Sequence, residues 1–318
     1  NFHNRKYIGD IFNNIRIFNE KEVDEIVVLD IDASQNDQKP NFKLIEKIAS
    51  VCRMPITYGG GVFNVEVAKK TIDDSVKYAS SIQQSLLPTG ENHEKFFKNY
   101  FIFWQPKDRL GGDIYWNFSD GNNFYFAIID CTGHGIPGSL VSMITVTMFN
   151  SIINQRTKES INLSKVLAEI NNNFVNTQKN NKDKLSNEGF DGLIFKLNEN
   201  NKSLSFVSAK TPLFIKRENG KVDEYSGTRK TVGYKKDVVF YEKTVDLFKN
   251  DIIILTTDGI FDQNNSANKI YSKKRMISII EKGELNTNFL VQQILSDLEN
   301  FKGQMAQRDD ITIIAFQV

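Results

Sequence analysis

The sequence has few cysteines, no long apolar run and no excess of charge of one sign, and each shortage excludes a class of protein. The 318 residues include two cysteines, Cys52 and Cys131, in unrelated sequence contexts. A secreted domain held together by disulfides is therefore not expected. We expect both cysteines to be free thiols in a reducing cytoplasm. Forty basic and 39 acidic residues give a net charge of +1, so nucleic acid is not an expected partner. No apolar stretch approaches the roughly 20 residues that cross a bilayer, so no membrane segment is expected.

What the sequence does contain is typical of a globular protein, with 40% hydrophobic and 25% charged residues and enough length for two domains. Its pattern changes near residue 71. Before that point, stretches with helical and strand-like patterns alternate at residues 11–23, 25–31, 42–51 and 54–58. This is the order of βα units.

Three glycines, Gly59, Gly60 and Gly61, follow the last of these strands. Glycine lets backbone N–H groups approach an anion closely, so this turn could bind a phosphate. A tight strand-to-helix turn is the alternative, and composition alone favours it.

Residues 72–87 are predicted to form one amphipathic helix. The apolar positions recur at spacings of four, three, three and four residues, which places them on one face. They are Ile72, Val76, Ala79, Ile82 and Leu86. The face could pack against a following domain, or it could pair with a second copy as a homodimer. Residues 71–90 are accordingly assigned to a linker or regulatory helix, between domains at 1–70 and 91–318.

The region after residue 91 is rich in strand-like runs, with helical intervals at residues 138–153 and 163–176. Two turn motifs, Asp120-Gly121-Asn122 and Glu218-Asn219-Gly220, predict hairpins and hence antiparallel sheets. Two sheets with helices outside are the natural packing of such elements.

Short acidic motifs punctuate this region, three of them next to apolar runs at residues 124–129, 252–255 and 311–316. The motifs are Gly111-Gly112-Asp113, Asp130-Cys131-Thr132-Gly133-His134-Gly135, Thr257-Asp258-Gly259 and Arg308-Asp309-Asp310. Strand ends that carry glycine beside a carboxylate can gather oxygen ligands around divalent cations. The motifs therefore predict a two-metal hydrolytic centre.

Four segments of the first domain match a known family. They are Tyr7-Ile8-Gly9-Asp10, Arg16-Ile17-Phe18-Asn19, Val28-Leu29-Asp30-Ile31-Asp32-Ala33-Ser34 and Pro55-Ile56-Thr57-Tyr58-Gly59-Gly60-Gly61-Val62. In these segments the sequence resembles the cyclase subunit of imidazole glycerol phosphate synthase. That family is a (βα)₈ barrel, and the resemblance implies its second and third βα units, hence a partial barrel. The family's catalytic aspartates lie on its first and fifth strands, which find no match here. Cyclase activity is not expected, and a gene fusion is.

Residues 72–318 resemble the metal-dependent serine/threonine phosphatases of the stage II sporulation protein E and stress-response regulator type. The acidic motifs occur in the family's order, together with Ser80-Ser81-Ile82-Gln83-Gln84-Ser85-Leu86-Leu87-Pro88, Ile136-Pro137-Gly138, Ile260-Phe261-Asp262 and Ile311-Thr312. The resemblance implies an α+β fold, a four-layer α-β-β-α sandwich.

The resemblance also implies ligands for two Mn²⁺ or Mg²⁺ ions. Asp130 would bridge the ions, the backbone carbonyl of Cys131 would join one of them, and Asp258 and Asp309 would complete the other. Asp113 would be a further ligand, direct or through water. Asp310 is the alternative to Asp309, and Asp191 lies where some relatives hold a third ion, or is an ordinary turn residue.

Other candidates have weaker signals. Lys107 and Arg109 could contact substrate phosphate, although solvated loop charges are commoner. His134 could donate a proton to the leaving oxygen, or simply hold its loop. Cys131 lacks the arginine that a cysteine phosphatase needs, so a packed thiol is expected. His93 is expected at the surface.

The function implied is hydrolysis of phosphoserine or phosphothreonine on a regulatory protein, such as an anti-sigma-factor antagonist, by metal-activated water. One alternative is a catalytically locked docking or switch module with the same fold. Another is a histidine-biosynthesis cyclase fragment, which lacks its catalytic groups. The retained carboxylates favour the enzyme, because their mutual repulsion is costly without cations.

Overall fold

The computed structural model describes residues 9–21, 23, 25–35, 39–52, 55–60, 65–89, 93–155, 161–179, 188–198 and 203–318. The chain divides into two compact units, Asn1–Tyr78 and Ala79–Val318. This division falls inside one continuous helix, Val65–Ser85, so the predicted borders at 70/71 and 90/91 stay predictions.

The first unit alternates helices and short parallel strands. Its elements are α1 (Ile11–Glu20), β1 (Ile26–Leu29), α2 (Ile31–Gln35), α3 (Phe42–Val51), β2 (Ile56–Gly59) and the first part of α4 (Val65–Ser85). β1 pairs with β2 in parallel, from Ile26 opposite Ile56 to Leu29 opposite Gly59. Its apolar core cluster is small, with Ile15, Ile26 and Ile48 as the buried members in the described part, and Ala33 is buried as well. The described part of the first unit therefore has the βα order predicted from the sequence, with two parallel strands.

The second unit is strand-rich. Its elements are α5 (His93–Phe96), β3 (Asn99–Gln105), β4 (Asp113–Ser119), β5 (Asn123–Cys131), α6 (Gly135–Asn154), α7 (Leu163–Lys179), β6 (Phe190–Asn198), β7 (Ser203–Ala209), β8 (Leu213–Lys216), β9 (Val222–Tyr225), β10 (Lys243–Asp246), β11 (Ile252–Thr256), α8 (Gly259–Asp262), α9 (Lys273–Lys282), α10 (Thr287–Lys302) and β12 (Ile311–Gln317). The strands form two five-stranded sheets, β10-β7-β6-β5-β4 and β3-β12-β11-β8-β9. Neighbouring strands in both sheets are antiparallel.

Alternation along β5 explains how the first sheet packs on both faces. Phe124, Phe126 and Ile128 belong to the core between the sheets, whereas Tyr125 and Ala127 belong to the core under α6 and α7. Successive strand side chains point to opposite faces, so a strand buried on both sides reads as a continuous apolar run.

The second sheet is covered in the same way on its outer face. Ile252 and Ile254 of β11 pack in a third core with Met276 of α9 and with Leu290 and Ile294 of α10. The layers are therefore helix, sheet, sheet and helix, as the sequence resemblance implies. Both predicted hairpin turns are present, between β4 and β5 and between β8 and β9.

Helix α6 bears on the expectation that no apolar stretch is long enough to cross a membrane. By length and composition it could cross a membrane, and half of its 18-residue apolar stretch is buried inside the protein. It packs beside β4 and β5 and against α7 through residues such as Val141, Val146 and Phe149. A core helix of a globular protein passes the same length and composition test.

His93 was expected at the surface, and that expectation is wrong. Its side chain is buried, with ring edges of Tyr100 and Phe124 packed around it and Nε2 2.7 Å from Nδ2 of Asn117. Burial lowers the pKa of His93 to about 4. Two of the rings that enclose it, those of Phe124 and Phe316, come from strands far along the chain, so no local pattern revealed its burial.

Candidate metal centre

Three aspartates lie side by side across the first sheet. Asp113 begins β4 and is opposite Asp130, near the end of β5. Asp130 is in turn opposite Asp191, the second residue of β6. Directly opposed strand residues have Cβ atoms roughly 5 Å apart, so the register alone brings these carboxylates together. The neighbouring position of Asp191 was not evident from the sequence.

The second sheet contributes the other acidic motifs and fixes one member of the first set. Asp258 follows β11, and Asp309 and Asp310 precede its neighbour β12. The hydroxyls of Thr257 and Thr312 each donate a 2.7 Å hydrogen bond to Oδ2 of Asp113. The two threonines hold Asp113 from the opposite sheet.

The charges of these aspartates act on one another. Burial raises the pKa of Asp130 well above its ordinary range, and the charges of Asp113, Asp258, Asp191 and Asp309 raise it further. Burial likewise raises the pKa values of Asp113 and Asp258. Carboxylates this close cannot all ionise cheaply without a counter-charge.

The adjacent aspartates of the last motif have different partners. Asp310 is buried and accepts backbone N–H groups on both oxygens, from Lys107 at 2.7 Å and from Gly112 at 2.6 Å. Its carboxylate thus holds the loop before β4. Asp309 is exposed, which leaves it the freer of the two to act as a ligand.

Glycine is required where the loops meet. A Cβ on Gly112 would collide with the carbonyl oxygen of Gly133 and come within 2.8 Å of that of Cys131. A Cβ on Gly259 would collide with the carbonyl oxygen of Asp310.

The Cys131 side chain is buried away from solvent, and burial raises the pKa of its thiol. A nucleophilic thiolate is therefore disfavoured at this position.

The donor set fits divalent cations such as Mn²⁺ or Mg²⁺, which prefer carboxylate and carbonyl oxygens. One oxygen of Asp191, Oδ1, is buried and has no hydrogen-bond partner in the described structure. The same carboxylates are not gathered at one point: among the described residues, no three His, Cys, Asp or Glu side chains converge enough to hold an ion.

A cavity of about 410 Å³ opens beside the aspartates. Its lining includes Asp130, Asp191 and Asp258, and also Lys210 and Lys273. The sequence carried no signal for either lysine, because each lies far along the chain from the acidic motifs.

The weaker phosphate-binding predictions lie elsewhere. Nζ of Lys107 is 3.2 Å from Nε2 of His134, whose Nδ1 is 3.1 Å from Oδ2 of Asp108. Gly59 is the last residue of β2 in the first unit and Gly60 follows it, where a Cβ on Gly60 would collide with the carbonyl oxygen of Asp30. Gly61 lies outside the described residues. The carbonyl of Arg109 accepts a hydrogen bond from the Ser80 hydroxyl, and phosphate binding by the Arg109 side chain stays a prediction.

Comparison with known proteins distinguishes the two parts of the chain. A family model described as histidine biosynthesis protein matches residues 1–85. A HisF-type imidazole glycerol phosphate synthase subunit of Leptospira interrogans is 51% identical over 76 residues, which cover 24% of this chain and 30% of that protein. The chain thus spans about a third of the length of the curated relatives it matches.

The second unit matches phosphatases. The SiaA-PP2C domain of Pseudomonas aeruginosa is 26% identical with a TM-score of 0.68, covering 79% of this chain and 98% of that one. A phosphatase-domain structure of SpoIIE from Bacillus subtilis is 17% identical with a TM-score of 0.58, covering 69% and 63%. The family model for stage II sporulation protein E matches residues 120–318, more than half of the chain. The chain therefore belongs to the stage II sporulation protein E family and is a metal-dependent protein phosphatase.

Proposed function

We propose that the chain hydrolyses phosphoserine or phosphothreonine on a regulatory protein at the aspartate cluster beside the 410 Å³ cavity. The observation that carries the proposal is the register of three adjacent strands, which aligns Asp113, Asp130 and Asp191. Burial and mutual repulsion raise the pKa of Asp130, as expected for a site whose carboxylates are meant to share cations.

Asp130, the central aspartate, would bridge two Mn²⁺ or Mg²⁺ ions, with the carbonyl of Cys131 on one ion and Asp258 and Asp309 on the other. Asp113 would be a further ligand, oriented by the hydroxyls of Thr257 and Thr312. The bound ions would neutralise phosphoryl charge and supply ionised water as the nucleophile. Asp310 acts indirectly, by fixing the loop that precedes Asp113.

The size of the cavity supports a protein substrate that inserts one phosphorylated side chain. About 410 Å³ is at the lower end of the range for small-ligand sites. The rest of the phosphoprotein would stay on the surface. A small regulator such as an anti-sigma-factor antagonist, in the cytoplasm, is the substrate that the sequence resemblance favours.

A locked docking or switch module is the second candidate. It is favoured by the carboxylates that do not converge on one point among the described residues. In that case a partner or a change in the protein would have to gather them before turnover.

Phosphate release from a phosphoserine peptide, titrated with Mn²⁺ and Mg²⁺ against a chelator, tests the proposal. Metal-dependent release by the intact chain is expected. Asp130→Asn should abolish it, whereas Asp246→Asn, at an exposed aspartate on edge strand β10, should not. Metal binding without release, measured by calorimetry, would favour the locked module instead.

A further inference from the structure

The cavity beside the aspartate cluster poses an electrostatic problem for an anionic substrate. Its lining carries four carboxylates, those of Asp130, Asp191, Glu224 and Asp258. A phosphate group carries close to two negative charges at neutral pH. Two cations alone must therefore offset both the carboxylates and the substrate, unless the protein adds positive charge of its own.

Among the lining residues the cations are Lys210 and Lys273, and they differ in their partners. Lys273 pairs with Glu224 at the cavity's edge. Nζ of Lys210 lies 3.0 Å from Oδ2 of Asp191, the strand neighbour of Asp130. Lys210 thus places its ammonium next to the aspartates proposed as metal ligands.

The ion pair of Lys210 is suited to exchange. The Lys210 side chain is 48% exposed and that of Asp191 27% exposed, and pairs this exposed contribute little to stability. The other oxygen of Asp191, Oδ1, is buried and unpartnered in the described structure. Asp191 therefore holds the lysine by Oδ2, while its Oδ1 accepts no hydrogen bond in the described structure.

The backbone of Lys210 is unusual for a lysine. It has φ 61°, in the left-handed region, which costs a residue with a Cβ about 1 kcal/mol. Its N–H donates a 2.7 Å hydrogen bond to the carbonyl of Thr228, which fixes this conformation in the turn between β7 and β8. Glycine would adopt the same turn without strain. The presence of a lysine side chain at this position therefore needs an explanation.

We propose that Lys210 is the residue that binds the phosphate group of the substrate. The inference rests on the proposed function and names the recognition device of that same site. When a phosphorylated serine or threonine enters, the ammonium leaves Oδ2 of Asp191 and binds phosphate oxygens, for which it offers three donors. Inorganic phosphate, the product, binds to the same ammonium. No bond other than hydrogen bonds changes in this step.

The test compares Lys210→Met with Lys210→Arg and with the matched control Lys249→Met, at an exposed lysine between β10 and β11, all in the intact chain with Mn²⁺. Methionine keeps the length and the backbone preference of lysine but removes the charge. For Lys210→Met, KM for a phosphoserine peptide should rise about tenfold while kcat changes less than about threefold. The inhibition constant of inorganic phosphate should rise by a similar factor.

Two controls separate recognition from a structural role. Lys210→Arg should recover most of the loss, and Lys249→Met should change KM less than about twofold. Mn²⁺ affinity, measured by calorimetry, should stay equal or increase in Lys210→Met, because Asp191 loses a competing cation. Unchanged KM and unchanged phosphate inhibition in Lys210→Met would overturn the proposal and leave a structural ion pair.

Calorimetric titration of inorganic phosphate into the Mn²⁺-loaded protein keeps this inference separate from the proposed activity. If the wild type releases no phosphate from any ester yet binds inorganic phosphate, weaker binding by Lys210→Met still supports the lysine. If the wild type hydrolyses the peptide and the variant binds phosphate equally well, the lysine assignment alone is wrong. If the wild type neither hydrolyses esters nor binds phosphate, both proposals are wrong.

Discussion

The first unit has the higher sequence identity to known proteins, whereas the second unit has the larger buried core. The first has relatives with 51% identity over 76 residues, yet its described core consists of Ile15, Ile26 and Ile48 around a two-stranded sheet. The second matches a solved phosphatase domain at 26% identity, yet it has two complete sheets and three buried cores. The stability of a fold depends on the apolar area that it buries. Close sequence similarity over a short segment is therefore a poorer guide to a stable core than distant similarity over a whole domain.

The largest expected effect concerns the site of the second unit. Asp130→Asn should lower metal-dependent phosphate release at least about 1,000-fold.

In chelator the same variant should be more stable than the wild type at pH 7. The pKa of Asp130 is raised in the folded state, so its favourable contribution exists at low pH and is lost as pH rises. Phosphate assays and thermal unfolding in chelator check both results; a less stable metal-free variant would contradict the electrostatic argument.

The next effect tests whether the two units unfold separately. Phe126 is fully buried between the sheets, and Phe126→Ala should destabilise the second unit by about 4 kcal/mol. Hydrogen exchange should accelerate throughout β5, β6 and β12 and stay unchanged in β1 and β2. Ile48→Ala is the matched variant in the first unit, and it should do the reverse. Equal acceleration of both units by either variant would mean that they unfold as one.

His93 gives a smaller, pH-dependent effect within the second unit. Burial depresses its pKa to about 4 in the folded protein, against about 6.5 in an unfolded chain. The neutral form thus stabilises the fold above pH 6.5, and this contribution of roughly 3 kcal/mol is lost as pH falls to 4. Denaturant unfolding from pH 7 to 4 should lose correspondingly less stability in His93→Phe than in the wild type. Parallel pH profiles would show that His93 is not the titrating group.

The smallest effect concerns α4, which contains the division between the units. Ile82 is 42% exposed, so Ile82→Asp should change the unfolding free energy by less than about 1 kcal/mol. If the proposed homodimer forms through this helix, light scattering should show wild type and Gln84→Asp as dimers and Ile82→Asp as a monomer. Gln84 is exposed on the same helix and controls for the added charge. A monomeric wild type at high concentration would end the dimer proposal.

Patterns of short range predicted much of this architecture. The hairpin at Asp120-Gly121-Asn122 follows from turn chemistry, and the helix at Phe42–Val51 follows from periodicity. Long-range facts were not predictable in this way. The burial of His93 depends on Phe124 and Phe316, which pack on it from strands of different sheets. The backbone partners of Asp310, the N–H groups of Lys107 and Gly112, lie about 200 residues earlier in the chain.

The sequence by itself determined the βα order of the first unit, the paired sheets of the second and the acidic motifs that identify its family. These properties reside in local periodicity, turn residues and motif order, which a linear chain displays directly. Only the tertiary structure decided that Asp191 lies beside Asp130, that two threonines hold Asp113, and that Lys210 reaches the cavity. Strand register and the packing of one sheet on another set those distances, and both depend on residues far apart along the chain.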